Sequence, residues 1–320
     1  MEHKPLLEVR ELSATLKAKD GDVHIINGVS FEVMPEETFG IIGESGCGKT
    51  MTSMLIMKYA ARLGLNVDHG EILFNGENIL NFNKKRTLSY NGGEVAIILQ
   101  DPMQALDPLY KIKSQMIEII RRHRKVSRRE AIRQMYEITS QLSIPREKLD
   151  CYPHQLSGGM LQRIVGAMVV STRPRLIIAD EPTTALDVTI QIQYMKLLKE
   201  IQRIYHTAII FISHDIHVIS MICDRIAVMY AGQIVEMGTK EEIMAEPGHP
   251  YTKALFNVAS LGRIPDELYD TIEGTPPDLR NLPSGCRFAD RCIHCTANCQ
   301  NKMPEFKISG TDHKVCCWRQ

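Results

Sequence analysis

The stretch Gly43-Glu44-Ser45-Gly46-Cys47-Gly48-Lys49-Thr50 narrows the possible folds more than any other part of the sequence. It has the spacing G-x-x-x-x-G-K-[ST]. It follows the apolar run TFGII at 38–42 and precedes TSMLIMKYAARL at 52–63, which reads as a helix. Strand, glycine loop and helix in that order form the setting a phosphate loop requires. Glycines let the backbone curl until several N–H groups face phosphate oxygens. The helix N-terminus adds its dipole, Lys49 a point charge, and Thr50 a hydroxyl for magnesium.

The rest of the chain supplies a sheet for such a loop. RLIIADEP and TAIIFISHD are short apolar runs alternating with helical patterns, as in a parallel α/β sheet. LLEVRELSATL and HIINGVSFEV alternate apolar with polar residues around the turn-like KAKDGD and predict an antiparallel pair. GEILFNGENIL reads as strand and turn, EVAIILQ as another buried strand, and RIAVMYAGQIVEMG as a closing hairpin. From Pro102 to about Met168 apolar residues recur at three- and four-residue spacing, which predicts helices. After Gly262 the chain is rich in Pro, Gly and Cys, and reads as a separate tail.

Further residues fit nucleotide chemistry. The strand RLIIAD ends in Asp180, which can place a carboxylate near a metal, and Glu181 beside it can orient or deprotonate an attacking water. Adjacent acids at a strand end are otherwise common solvated turn residues, so the weight comes from their pairing with the phosphate loop. LSGGM at 156–160 precedes the helical LQRIVGAMVV, making Ser157, Gly158 and Gly159 a second phosphate-binding helix start, where the plain alternative is an ordinary N-cap. One triphosphate does not need two such caps in one chain. The economical reading is that the second serves a nucleotide held by another subunit. His214, after the run TAIIFIS, can reach a γ-phosphate, where the plain alternative is a surface or satisfied core histidine.

In chain order, the phosphate loop, Gln100 in ILQDP, the LSGG signature, IIADEP, Ala185-Leu186-Asp187 and His214 resemble the ATP-binding cassette family over roughly residues 6–260. The resemblance implies a P-loop NTPase fold: a RecA-like core, an antiparallel β subdomain and a helical subdomain at about 102–168, within a cassette spanning 1–262. It implies a head-to-tail dimer with ATP between one subunit's residues 43–51 (Gly43 through Met51) and the other's Ser157, Gly158, Gly159 and Met160. Thr50, Gln100 and Asp180 would hold Mg2+, Glu181 would be the general base, His214 would hold the γ-phosphate, and Asp187 would communicate across the dimer. Met160 stands where many members have Gln, and Met there is frequent in peptide importers. Leu16 occupies about the place expected for an adenine-stacking aromatic, so adenine packing is expected to be aliphatic and weaker.

The tail narrows the resemblance. GHPYTKAL at 248–255, GTPPDL, PSGCRFADRC and HKVCCW resemble the C-terminal extension, here residues 263–320, of the ATPases serving oligopeptide, dipeptide and nickel importers. Six of the nine cysteines fall in the last 35 residues. Crowding of that kind in a cytosolic chain favours a metal or cluster site over disulfides. The resemblance implies Cys286, Cys292, Cys299 and Cys317 as ligands of a [4Fe-4S] cluster, with Cys316 one step from the last and Cys295 outside the pattern. Four thiolates in a loop-rich segment suit a cubane cluster or tetrahedral zinc, and reduced thiols are the third possibility.

Composition sets the remaining expectations. Lys plus Arg and Asp plus Glu are 38 each, a net charge of zero, which argues against a nucleic-acid partner. No apolar run reaches the roughly 18 residues of a membrane span, and the N-terminus lacks the apolar core of a signal peptide. Taken with the resemblance, these absences imply a peripheral ATPase on the cytoplasmic face of the membrane. The resemblance implies as partners a second cassette subunit (a paralogue), two permeases and an extracytoplasmic solute-binding protein. A soluble cassette ATPase acting on ribosomes or DNA is the alternative. Such proteins usually carry two cassettes or a long coiled-coil insertion, and neither is present.

Overall fold

Residues 4–183, 187–261, 272–310 and 312–319 are described by a computed structural model of the chain. Ala185 and Leu186 of the expected Ala-Leu-Asp motif lie outside the described residues, as do Gly262 and the following residues to 271. Strands β1 to β6 are Leu7–Ala18, Gly21–Val33, Thr38–Ile42, Leu65–Phe74, Glu77–Asn78 and Val95–Ile98. Strands β7 to β12 are Leu176–Asp180, Ala208–Ser213, Arg225–Tyr230, Gln233–Thr239, Lys307–Ile308 and Lys314–Val315. Helices α1 to α5 are Lys49–Ile56, Lys84–Tyr90, Ile112–Arg124, Arg128–Gln141 and Gly158–Ser171. Helices α6 to α10 are Val188–Tyr205, Ile216–Ile222, Lys240–Ala245, Pro250–Leu261 and Ala297–Asn301.

The chain forms two units. The first comprises residues 1–33, 38–80 and 212–320, and the second residues 34–37 and 81–211. Within the first unit β2, β1, β4 and β5 make an antiparallel sheet. The two-residue turn between β4 and β5 is Asn75-Gly76, with φ of 51° and 81°, the left-handed pair that matches hairpin twist. A second group of strands in the same unit runs β11, β12, β10, β9, β3. There β3 pairs parallel with β9, and β9 pairs antiparallel with β10. All five residues of β3 are buried, so it reads in sequence as a continuous apolar run.

The tail is not separate from this unit. Its β12 pairs with β10, matching Glu236 to Val315 and Met237 to Lys314. Behind that pairing the fully buried Glu236 carboxylate accepts the N–H groups of Gly248 and His249, at 2.7 and 2.8 Å, and faces His313 Nε2 at 2.6 Å. The two tail strands are two residues long each, too short for any alternation to register in sequence.

In the second unit β6 pairs parallel with β7, and β8 follows β7 in strand order. The predicted helical stretch contains α3, α4 and α5. Their buried residues (Ile112, Met116 and Ile120; Ala131, Met135 and Ile138; Ile164, Val165 and Met168) recur at helical spacing and meet one another. Ser127 caps α4 by accepting the N–H of Glu130 at 3.2 Å.

Candidate functional site

In the first unit β3 ends at Ile42 and the loop 43–48 leads into α1. The loop is packed so tightly that two of its glycines have no substitute. A Cβ on Gly43 would come within 2.1 Å of the Met229 carbonyl oxygen, and Gly48 has φ of 107°. Main-chain bonds fix the rest: Gly232 N–H donates to Cys47 O at 2.9 Å, and Cys47 N–H to Glu44 O at 3.3 Å. Lys49 is 4% exposed, and its ammonium donates to the carbonyls of Gly43 and Glu44 at 2.8 and 2.9 Å, closing the mouth of the loop. Ser45, Gly46 and Thr50 are exposed and Met51 is half-buried. Burial pushes the Cys47 thiol above its ordinary range, against the pull of Lys49.

Glu44 is held by two partners from the C-terminal part of the chain, Tyr251 in α9 and Arg291 in the tail. Its N–H donates to the hydroxyl of the fully buried Tyr251 at 2.9 Å. Its carboxylate takes a two-pronged bond from Arg291, at 2.8 and 3.1 Å. Nothing in the sequence spacing announced either partner, although both stand in stretches, GHPYTKAL and PSGCRFADRC, that are distinctive as sequence. His214 belongs to this unit too. It is exposed and directly follows Ser213, the last residue of β8.

The second unit brings together Gln100, Asp180 and Glu181. Because Ile98 of β6 lies opposite Ala179 of β7 in a parallel pair, Gln100 and Glu181 leave the same end of the two strands. Asp180 is buried, the last residue of β7, and Glu181 is half-buried with φ of 48°. A left-handed glutamate costs about 1 kcal/mol or more and is held only where the surroundings fix it. Beside it Gln162 of α5 donates to Pro182 O at 3.3 Å, and Gln191 of α6 to Thr183 O at 3.2 Å.

The signature residues start α5 in the same unit. Ser157 is the N-cap residue, with extended backbone, and its side chain makes no capping bond, so the exposed Ser157 and Gly158 present the open end of the helix. Gly159 stands against Ile190 of α6, and Met160 is half-buried. Asp187, one of the residues expected at the dimer, caps α6 by accepting the N–H of Ile190 at 3.0 Å.

Cys286, Cys292, Cys299 and Cys317 line one small cavity with Phe288 and Trp318. Cys316 points elsewhere, its thiol donating to Pro304 O at 3.1 Å, and Cys295 is half-buried beside Thr296. Among the described residues no three His, Cys, Asp or Glu side chains are grouped as a single metal ion requires. Burial raises the Cys286 thiol to about 11, with Cys299, Cys317 and Cys292 adding to it.

No helix among the described residues is long and apolar enough to cross a membrane. Residues 26–184 match the family described as ABC transporter, and residues 235–299 match the C-terminal region of oligopeptide/dipeptide transporters. The chain is 42% identical to a probable D,D-dipeptide transport ATP-binding protein of Escherichia coli (strain K12), over 98% of this chain and 97% of the relative. It is 42% identical to the dipeptide transport ATP-binding protein of Bacillus subtilis (strain 168), over 98% and 95%. With the oligopeptide transport ATP-binding protein of the same strain the identity is 43%, over 98% and 88%. Among solved structures, a Clostridium perfringens part of an ABC transporter complex matches with a TM-score of 0.66 at 27% identity, over 76% of this chain and 91% of its own. An ATP-binding cassette bound to ADP and Pi shares the fold, with a TM-score of 0.64 at 21% identity, over 73% and 98%.

Proposed function

Because this chain belongs to the ATP-binding cassette transporter family and is an ATPase, we propose that it energises an importer of peptides. The observation that carries this reading is the near full-length likeness to dipeptide and oligopeptide transport ATP-binding proteins, which includes the C-terminal region at 235–299. In this reading two cassettes close on ATP and move two permease subunits, which receive the solute from an extracytoplasmic binding protein. Hydrolysis resets them. The second cassette is a paralogue, and the permeases hold both at the cytoplasmic face of the membrane.

Each residue then has a part. The loop 43–51 cradles the phosphates, with Lys49 as the charge. Thr50, Gln100 and Asp180 hold Mg2+, which neutralises charge on the phosphates. Glu181 orients and deprotonates the attacking water, and its fixed backbone keeps the carboxylate aimed. His214 meets the γ-phosphate. The open start of α5 at Ser157, Gly158, Gly159 and Met160 reaches the partner's nucleotide, and Asp187 sets the end of α6 at that face. Cys286, Cys292, Cys299 and Cys317 hold a [4Fe-4S] cluster that staples the tail, with zinc as the lesser candidate. In this reading the cassette occupies residues 1–262, with its helical part at about 102–168, and the extension occupies 263–320.

The deciding experiment is purification with the accompanying membrane subunits, reconstitution into vesicles, and ATP-dependent uptake of labelled dipeptides, longer peptides and nickel. Uptake of a peptide supports the reading. Uptake of nickel alone changes the cargo and leaves the transport ATPase. Stimulation of ATPase activity by ribosomes or DNA, with no membrane subunits recovered, would replace it.

A further inference from the structure

Arg291 spends every N–H it has on one place. Nη1 donates to Glu44 Oε2 at 2.8 Å and to the Tyr230 hydroxyl at 3.2 Å. Nη2 donates to Glu44 Oε1 at 3.1 Å and to Ile272 O at 3.1 Å, and Nε to Glu273 O at 2.9 Å. Those are the five donors of a guanidinium, all satisfied. Its side chain is 5% exposed, and it lies 5.7 and 5.9 Å from the ring centres of Tyr230 and Phe288. Tyr230, Tyr251 and Phe288 pack on one another at 4.6 to 5.5 Å between ring centres, so the arginine sits on a rigid aromatic seat. The neighbouring Arg287 is also tied, its Nη1 donating to the Ala231 carbonyl in the turn before Gly232, whose N–H holds Cys47 O.

The recipient of this fork is a carboxylate inside the phosphate loop. A free negative charge there would repel a triphosphate, and at the effective dielectric of a protein surface such repulsion is a substantial part of a nucleotide's affinity. Lys49 does not pair with it: its ammonium is bonded to the main-chain carbonyls of Gly43 and Glu44. The Glu44 N–H is separately bonded to the Tyr251 hydroxyl, which fixes the main chain of the residue, and Arg291 fixes its side chain.

We propose that Arg291 is a positioning residue for nucleotide binding: by neutralising Glu44 and holding it against the tail, it makes the Cys-rich extension set the ATP affinity of the phosphate loop. The inference rests on reading residues 43–51 as the nucleotide loop, which sequence and comparisons favour. It adds a partner from the opposite end of the chain, and it assigns the extension a part in ATP binding.

The test is titration of the full-length chain with a non-hydrolysable ATP analogue, alongside steady-state ATPase kinetics and thermal melting. Arg291→Ala is expected to bind the analogue about tenfold more weakly and to raise KM for ATP while leaving kcat near wild type, as loss of a ground-state charge requires. Adding Glu44→Gln to Arg291→Ala is expected to restore most of the affinity, which a merely structural strut would not do. Should melting show that the alanine variant has not folded, Arg291→Gln and Arg291→Lys give the same contrast of charge lost against charge kept. Lys49→Ala is the control. If it loses binding and the Arg291 variants that remove charge do not, the inference is overturned alone. If Lys49→Ala binds as wild type, the nucleotide reading of the loop falls, and the inference with it. Failure of Glu44→Gln to rescue overturns neutralisation as the cause.

Discussion

Gln162 on α5 donates its side-chain amide to the carbonyl of Pro182, at 3.3 Å, where both residues are buried. Pro182 directly follows Glu181, so the helix that begins with the signature is bonded to the segment that aims the acid. Within the second unit, a displacement at the start of α5 therefore has a direct mechanical route to Glu181.

Glu181→Gln is expected to retain ATP binding and abolish turnover at its own site, since the amide keeps the shape and loses the base. A loss on the order of a hundredfold or more in kcat, with the nucleotide Kd unchanged, is the expected result. Turnover equal to wild type removes Glu181 from the chemistry.

Gln162→Leu leaves the Pro182 carbonyl without that donor in a buried place, at a cost of about 1–3 kcal/mol in stability. Turnover is expected to fall several-fold, because the left-handed backbone at Glu181 loses one of the contacts that fix it, while nucleotide binding stays as it was. Chemical denaturation and single-turnover kinetics measure the two effects separately.

Ser157→Arg places a bulky cation at the exposed start of α5. Binding of ATP to the isolated chain is expected to be nearly intact, and ATP-driven pairing of cassettes is expected to be lost, which light scattering in the presence of ATP would show. Normal pairing in the variant rules out a nucleotide held between Ser157 and a partner's loop.

Protein purified without oxygen is expected to carry about four irons and four sulfides per chain. Cys286→Ser, Cys292→Ser, Cys299→Ser and Cys317→Ser are each expected to remove them and to loosen the tail. Cys295→Ser and Cys316→Ser are expected to keep them, Cys316 because its thiol is bonded to Pro304 O. One zinc per chain and no iron would keep the staple and change its nature, and neither metal would remove it.

His249 is buried against Phe288, and its Nδ1 accepts the N–H of Tyr251 at 3.0 Å. Burial holds its imidazole down at about 4, against an ordinary 6.5. A folded-state value below the unfolded one means that stability is fully present above pH 6.5 and falls as the pH drops toward 4. The loss is roughly 3 kcal/mol over that window, at about 1.4 per pH unit. Melting temperatures measured from pH 7.5 to 4.5 are expected to fall more steeply for wild type than for His249→Asn. Parallel curves would show that this imidazole protonates in the folded state.

The phosphate loop, the acids at the end of β7 and the signature are legible in sequence because each is a contiguous run whose chemistry depends on neighbours in the chain. The same holds for the β4–β5 turn at Asn75-Gly76 and for the buried runs of β3, β7 and β8. What escapes a linear reading is whatever depends on contact between distant positions. Arg291 and Glu44 are separated by 247 residues, and no periodicity connects them. The docking of the tail onto β10 escapes for a second reason, since strands of two residues leave no pattern. Asp187 shows the reverse limit: its motif implies communication across a dimer, and what the fold shows of it is the N-cap of α6.

Strand β10 would otherwise be the last strand of its group, with a row of main-chain donors and acceptors turned outward. Such a border invites strands from other molecules and is a common route to insoluble assemblies. Here the chain closes the border with its own Lys314 and Val315, and the outermost strand, Lys307–Ile308, is too short to template another. A version of the protein shortened to the first 262 residues would therefore keep every nucleotide-binding motif and still come out of the cell as sticky material, its exposed border pairing with itself.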